Sequence, residues 1–201
     1  MKLLSSPASP FGRKVKITIA CKGLKDDVEI LTVDATKGDA SLNSANPLGR
    51  IPALITSSGE CIHDSRVICE YLDSVGSGPQ LFPSSGAERW RVLSMGSLAD
   101  GLTEQALHQV YEGRYRPPEM RVESWMQRLQ SKIDRTLAHL EAAPPKWGAH
   151  PDYGHITLAC ALGYLDFRHG GKWRMAHPRM VGWLDDFAAV VPAFKATTPV
   201  G

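Results

Sequence analysis

The chain has 201 residues, of which 43% are hydrophobic and 22% charged, and its formal net charge is +2. This length suits one large domain or two small ones, and the ordinary composition argues against disorder. So small a net charge, without a basic stripe interleaved with aromatic residues, argues against nucleic acid as a partner.

No apolar run approaches the roughly 18 residues that a membrane helix needs. The start "MKLLSSPASP" holds an apolar pair, which is too short for the core of a signal peptide. The cysteines show no CxxC and no metal-ligand spacing, so we expect no metal and small buried thiols. They are Cys21, Cys61, Cys69 and Cys160. A cytoplasmic location is predicted, with no membrane among the partners.

The first part of the chain alternates short apolar runs with helical patterns. "KLLS" predicts a strand, and residues 10–22 predict a helix that Gly23 ends. "VEILTV" predicts a second strand, while "IPALI" and "ECIH" around "TSSG" predict a hairpin. "DSRVICEYLDSV" predicts a helix. Its expected buried stripe is Val67, Ile68, Tyr71 and Leu72. This βαβ–ββα order implies a parallel pair with a right-handed crossover, plus antiparallel strands.

Beyond a Gly/Pro/Ser-rich linker, the patterns predict helices alone. One spans residues 87–113, and another starts at Pro117–Pro118 and ends near residue 142. "ITLACALGYLDF" predicts a buried helix and "HPRMVGWLDDFAAVV" an amphipathic one. The inner face of the latter is predicted to be Met180, Trp183, Leu184 and Phe187. The expected organisation is an α/β domain over residues 1–76, a linker over 77–86, and an all-α domain over 87–201.

Ser9 precedes Pro10, and proline is favoured at the first position of a helix. The plain interpretation is that the Ser9 hydroxyl caps this helix. The same position can also donate a hydrogen bond to a ligand thiolate, because a helix N-terminus attracts anions and lowers a thiol pKa. Arg13 and Lys14, one turn on, add positive charge. No cysteine of the chain lies here, so the thiol would belong to a ligand.

Two further segments carry comparable alternatives. Ile51-Pro52 opens the third strand, and its peptide bond can be an ordinary trans bond. The alternative is a cis bond, which would leave the backbone N–H and C=O of Ile51 free to pair with a peptide-like ligand. Asp64 and Ser65 precede a helix, and either can cap it. Alternatively, Ser65 takes a carboxylate at the helix start while Asp64 pairs with an ammonium group.

In order and spacing, "SPASPFGRKV", "NPLGRIPAL" and "DSRVICEYLD" resemble the soluble glutathione transferases, in a serine-type, bacterial-like form. The resemblance covers the whole chain and includes "GPQLFP", "ADGLTEQAL" and "HPRMVGWLDDFAAVVPAFKAT". It implies an N-terminal thioredoxin-like domain followed by a C-terminal helical bundle, in a homodimer.

The resemblance also implies roles for single residues. Ser9 matches the serine that hydrogen-bonds the glutathione sulfur. Ile51 and Pro52 match the residue and cis-proline that pair with the cysteinyl backbone of glutathione. Asp64 and Ser65 match the pair that holds the γ-glutamyl ammonium and carboxylate.

Three further charged residues take part in the resemblance. Arg50 and Lys37 could reach the glycyl carboxylate of glutathione. Asp100 resembles an acidic residue that some members lend to the γ-glutamyl group across a dimer interface, and a solvated surface charge is the equal alternative. Candidate contacts for a hydrophobic electrophilic second substrate are Phe11, His108, Tyr111 and Tyr164. Each of these is also an ordinary core or surface residue type.

The chain departs from the family pattern at two places. Many members carry a tyrosine on the first strand where this chain has Ser5 or Ser6, and this favours Ser9 as the thiolate-binding residue. Members often carry "SLAD" at the start of the buried helix, and we match that segment to "TLAC". There Thr157 can cap, but Cys160 cannot act as the capping-box acid, and "HPDYGH" offers another cap.

The implied function is that of an enzyme, a glutathione transferase that conjugates its co-substrate glutathione to an electrophilic small molecule, as in detoxification. One alternative is a glutathione-dependent reductase or lyase, chemistries that usually need a cysteine at the helix start. Another is a non-catalytic glutathione-binding protein.

Overall fold

The computed structural model describes residues 1–201 and contains four strands and eight α-helices. The strands are β1 (Lys2–Ser5), β2 (Glu29–Thr32), β3 (Ala53–Ile55) and β4 (Cys61–Ile62). The helices are α1 (Pro10–Cys21), α2 (Ala40–Ala45), α3 (Ser65–Val75), α4 (Gly86–Tyr115), α5 (Glu123–Ala142), α6 (Tyr153–His169), α7 (Pro178–Val190) and α8 (Pro192–Ala196).

The chain divides into two compact units. The first consists of Met1–Arg89 together with Val191–Gly201, and the second of Trp90–Val190. The sequence placed residues 191–201 in the helical domain, whereas the structure groups them with the first unit. The reason is a long-range contact: the Arg13 guanidinium lies 3.9 Å from the centre of the Phe194 ring.

The first unit contains one mixed sheet in the order β2-β1-β3-β4. β1 pairs in parallel with β2 and antiparallel with β3, and β4 pairs antiparallel with β3. The predicted combination of a parallel βαβ unit and an antiparallel hairpin is therefore confirmed.

Both faces of the sheet are covered at its central strands, β1 and β3. Leu3 and Leu4 are both buried, and neighbouring strand residues point to opposite faces. Leu4 packs in a cluster with Leu42 and Ala45 of α2. The sequence patterns did not predict α2, because a helix of six residues is too short to show a repeating apolar stripe. The Asp39 carboxylate caps α2 by accepting a hydrogen bond from the Leu42 N–H over 3.0 Å.

Helices α1 and α3 pack against each other, and the Thr18 hydroxyl donates to the Cys69 sulfur over 3.4 Å. Ile68, Cys69 and Leu72 form the buried stripe of α3. The predicted stripe was wrong at Val67, which is 47% exposed.

The second unit consists of α4 to α7. The first thirteen residues of α6, Tyr153–Leu165, are all buried, so this helix forms its core. Every residue of the predicted inner face of α7 is buried, and that prediction is confirmed. The expected start of α5 was wrong: Pro118–Met120 form a separate 3-10 turn, and α5 begins at Glu123.

None of the helices combines the length and the apolar character that crossing a membrane would take. None of the four cysteines forms a disulfide.

Candidate active site

Ser9 is the N-cap of α1, and Pro10 occupies the first helical position as expected. The Ser9 Oγ accepts a hydrogen bond from the Gly12 N–H over 3.0 Å. A serine hydroxyl has one proton to donate and two lone pairs, so this cap leaves the proton available. The Phe11 N–H lies in the same first turn, where a helix has no carbonyl partner to offer. The start of α1 thus presents two donors and the positive end of the helix dipole.

The two other serines of this segment, Ser5 and Ser6, have structural roles. Ser5 is 1% exposed, and its Oγ has no hydrogen-bond partner. The Ser6 Oγ accepts from the Ala8 N–H over 3.3 Å, and the Ser6 carbonyl accepts from the Ser9 N–H over 3.2 Å. Ser6 therefore forms the turn between β1 and α1, and Ser5 packs beneath it.

The sequence predicted that Arg13 and Lys14 add positive charge at the start of α1, and in the structure both side chains have other contacts. Arg13 is buried and donates to the Phe194 carbonyl over 2.7 Å, so its charge serves the carboxy-terminal segment. Lys14 is buried, with its ammonium 5.6 Å from the centre of the Phe11 ring. Lys16, which sequence reasoning missed, donates to the Ser6 carbonyl over 3.3 Å. Burial, and then the charge of Arg13, lower the pKa of Lys16.

The Ile51-Pro52 peptide bond is cis, which is the sharper of the two sequence alternatives. Pro52 is buried and immediately precedes β3, while Ile51 is half-buried and Arg50 is exposed. The side chain of Asn46 holds this loop: its amide donates to the Arg50 carbonyl over 2.8 Å, and its oxygen accepts from the Leu48 N–H over 3.1 Å. Asn46 lies inside the quoted motif, but nothing in the sequence pattern singled it out.

Asp64, not Ser65, caps α3. The Asp64 carboxylate accepts from the Arg66 N–H over 3.0 Å and from the Val67 N–H over 3.4 Å. Ser65 is the first residue of the helix and is 5% exposed. The two residues therefore share one helix start, as the motif indicated.

The weaker candidates have distinct surroundings. Lys37 is exposed and pairs with Asp34 over 3.3 Å. Asp100 is half-buried on α4 and accepts from the Tyr153 hydroxyl over 3.4 Å, so it is more than a solvated surface charge.

Of the four candidate contacts for a second substrate, Phe11 belongs to the first unit and the other three to the second. Phe11 is half-buried near the start of α1. His108 and Tyr111 are exposed on α4. Tyr164 is 3% exposed on α6, and burial above all raises its pKa to about 12.

The start of α6 corrects the match of "SLAD" to "TLAC". Asp152 is the N-cap, its carboxylate accepts from the His155 N–H, and the His155 ring accepts from the Asp152 N–H, which makes a capping box. "DYGH" is thus the segment that begins the helix, with an acid at the N-cap and a histidine three residues later. Thr157 and Cys160 lie inside α6, and the Thr157 hydroxyl donates to the Tyr153 carbonyl.

The fold is a thioredoxin-like domain followed by a helical domain, the architecture of glutathione transferases. The family model "Glutathione S-transferase, N-terminal domain" matches residues 3–80, and "Glutathione S-transferase, C-terminal domain" matches residues 123–186. The chain belongs to the glutathione S-transferase family.

Several relatives match this chain over nearly its whole length. An uncharacterised GST-like protein of Escherichia coli, YibF, is 36% identical over 186 residues, covering 90% of each chain. A Pseudomonas fluorescens family member with bound glutathione is 40% identical, with a TM-score of 0.93 over 100% of this chain and 99% of that one. A structure of a P. fluorescens family member with bound S-(propanoic acid)-glutathione has 38% identity and a TM-score of 0.89 over 100% of both chains.

Proposed function

We propose that this protein is a glutathione transferase that binds glutathione on its first unit, ionises the thiol at Ser9 and adds it to an electrophilic small molecule. The observation that carries the proposal is the start of α1, where the Ser9 hydroxyl can cap the helix and still donate its proton. Solved relatives at 40% and 38% identity contain glutathione or its S-(propanoic acid) derivative, which supports the same ligand here.

Catalysis would come from two effects. Donors at the N-terminus of α1 lower the pKa of a bound thiol, and Lys16 adds positive charge at the neighbouring Ser6 carbonyl. Holding the thiolate beside the electrophile then removes much of the entropic cost of a bimolecular reaction.

The rest of glutathione would be held by backbone and helix-start contacts. The proposed partners are Ile51 and Pro52 for the cysteinyl backbone, and Asp64 and Ser65 for the γ-glutamyl ammonium and carboxylate. Ser65 suits the carboxylate because it is the first residue of α3, where the positive end of the helix dipole favours an anion, while the Asp64 carboxylate already accepts from the Arg66 and Val67 N–H groups.

Arg50 and Lys37 are proposed for the glycyl carboxylate, and both are exposed. Phe11, His108, Tyr111 and Tyr164 are proposed for the second substrate. We further propose a homodimer in which Asp100 reaches the γ-glutamyl group of the partner, and a role in detoxification in a reducing cytoplasm. The four cysteines, none in a disulfide, are compatible with that compartment.

Disulfide chemistry is disfavoured, because Ser9 and not a cysteine occupies the start of α1. A glutathione-dependent reductase or lyase that cleaves an ether or a halide remains the second candidate. When a glutathione thiolate displaces such a leaving group the product is a thioether, and the S-(propanoic acid)-glutathione bound to the P. fluorescens relative is a glutathione thioether.

Ser9→Ala and Ser9→Gly test the proposal together. At an N-cap, alanine costs about 1 kcal/mol of stability and glycine only a few tenths of that, yet both remove the hydroxyl. Both should therefore lower the thiolate fraction of bound glutathione at neutral pH by about ten-fold, as read from thiolate ultraviolet absorbance against pH. They should lower turnover with a panel of electrophiles as well.

If both variants titrate glutathione as the wild type does, Ser9 is a cap alone. If glutathione neither binds nor raises the unfolding temperature of the wild type, the assignment to glutathione itself fails.

A further inference from the structure

Ser5 ends β1 directly beneath the start of α1, and the sheet fixes its backbone. The Ser5 carbonyl accepts from the Val33 N–H over 2.9 Å, and Ser5 pairs with Thr32 in the parallel register of β1 and β2. Neighbouring strand residues point to opposite faces of a sheet, and Leu4 packs against α2. The Ser5 side chain therefore points to the other face, toward α1.

The side chains of Ser5 and Ser9 border the same small space. A Cβ atom at Gly12 would overlap the Ser5 Oγ and would lie 3.3 Å from the Ser9 Cβ and 3.4 Å from the Ser5 Cβ. Because residue 12 is a glycine, no side chain of that residue fills the space or separates the two serines.

The Ser5 hydroxyl is a buried polar group without a partner. Ser5 is 1% exposed, and its Oγ makes no hydrogen bond. A buried hydroxyl that is left unsatisfied costs stability, and alanine would fit the same place without that cost. The tight packing under Gly12 accounts for a small residue at position 5, but it does not account for the hydroxyl.

The Ser9 hydroxyl has room for one more hydrogen bond. Its oxygen carries two lone pairs, and one of them accepts from the Gly12 N–H over 3.0 Å. Its proton is the one proposed for the glutathione thiolate, so the second lone pair remains. Ser5 is too deeply buried to contact a ligand itself, and Ser9 is the neighbouring group through which it can act.

We infer that Ser5 is a positioning residue whose hydroxyl donates to the Ser9 Oγ while Ser9 donates to the glutathione thiolate. The open space at Gly12 lets the Ser5 hydroxyl turn toward Ser9 between staggered rotamers. Hydrogen bonds in a chain polarise one another, so donation from Ser5 strengthens the bond from Ser9 to the sulfur and favours the ionised thiol. This inference rests on the proposed thiolate role of Ser9 and assigns the residue that supports it.

Titration of the thiolate absorbance of bound glutathione against pH tests the inference. Cooperativity strengthens a hydrogen bond by a fraction of its own energy, so Ser5→Ala should lower the thiolate fraction at neutral pH by about two- to three-fold. The same variant should unfold at the wild-type temperature or above it, because it removes an unsatisfied buried group. A purely structural role would not lower the thiolate fraction while leaving stability intact.

The variant Ser9→Gly provides the background that shows whether Ser5 acts through Ser9. In that background the acceptor is gone, so Ser5→Ala should lower the thiolate fraction no further. Thr18→Val is the matched control, because Thr18 carries another buried hydroxyl of α1, which donates to the Cys69 sulfur over 3.4 Å. It should titrate glutathione as the wild type does.

Three results would overturn the inference and leave the proposed function in place. In the first, Ser9→Gly shifts the titration and Ser5→Ala does not. In the second, Ser5→Ala shifts it equally in the wild-type and Ser9→Gly backgrounds, so that Ser5 does not act through Ser9. In the third, Thr18→Val shifts it as much as Ser5→Ala does.

Other outcomes bear on the proposed function first. If the wild type does not bind glutathione, or if Ser9→Gly titrates it as the wild type does, the assignment of the thiolate site fails and the inference about Ser5 fails with it.

Discussion

Gly12 is the third residue of α1 and lies directly over Ser5, the last residue of β1. A Cβ atom at Gly12 would lie 2.1 Å from the Ser5 Oγ, 3.3 Å from the Ser9 Cβ and 3.4 Å from the Ser5 Cβ. The first of these distances is far inside van der Waals contact, and the other two are tight but tolerable. Gly12→Ala must therefore displace the Ser5 hydroxyl or the helix start that carries Ser9.

The size of the effect follows from two opposing terms. Overpacking a buried site costs about 1–3 kcal/mol, whereas alanine in place of a helical glycine gains about 0.5–1 kcal/mol. Gly12→Ala alone should thus lower the free energy of unfolding by about 1 kcal/mol. Ser5→Ala removes a buried hydroxyl that has no partner, so it should be neutral or stabilising by about 1 kcal/mol.

Urea unfolding of the wild type, both single variants and the double variant measures the coupling. In the Ser5→Ala background the clash is gone, so Gly12→Ala should become stabilising and the coupling should reach about 1–3 kcal/mol. Equal effects of Gly12→Ala in the two backgrounds would refute the reasoning, because the hydroxyl would then not be what excludes a side chain at residue 12.

Two further predictions concern buried carboxylates. Asp73→Asn removes the carboxylate that lies 3.0 Å from the buried ammonium of Lys22 and leaves that charge with only the Gly78 and Pro79 carbonyls, so it should cost about 3 kcal/mol. Glu70→Gln, in a more exposed pair nearby, should cost about 0.5 kcal/mol. Equal losses in urea unfolding would contradict this burial argument. Burial, the largest single effect, would raise the pKa of Asp152, but the hydrogen bonds from His155 and from the Arg91 guanidinium together outweigh it and leave that pKa below its ordinary value. The stabilisation by Asp152 should therefore be complete above about pH 5 and should fade as the pH drops below about 4. Asp152→Asn should be less stable than the wild type at neutral pH, with a gap that narrows in acid; a constant gap would contradict the linkage.

Local sequence signals were sufficient to predict most of the helices and strands in both units. Ser9-Pro10 marked the start of α1, and the apolar stripe of Met180 and Trp183 marked α7, because caps and periodicity act over a few neighbouring residues. The same signals failed where a helix was short, as in α2, or where a proline pair began a 3-10 turn instead of α5.

The motifs of the candidate site were also readable from the sequence, because helix starts and X-Pro bonds are local features. Ser9, Pro52 and Asp64 were singled out in this way, and Asp64 proved to be the cap of α3. Asn46 was missed, since its role is visible only as two hydrogen bonds within a folded loop.

By itself, the sequence determined the order of most elements, the family and the helix start that we propose as the thiolate site. Only the tertiary structure decided which charges act there: Arg13, four residues after Ser9, bonds to Phe194, 181 residues away. It also placed Asp100 of α4 where its carboxylate accepts from the Tyr153 hydroxyl of α6. The physical reason is that capping and periodicity are set by neighbours in the chain, whereas the partner of a buried charge is set by which distant segments pack together.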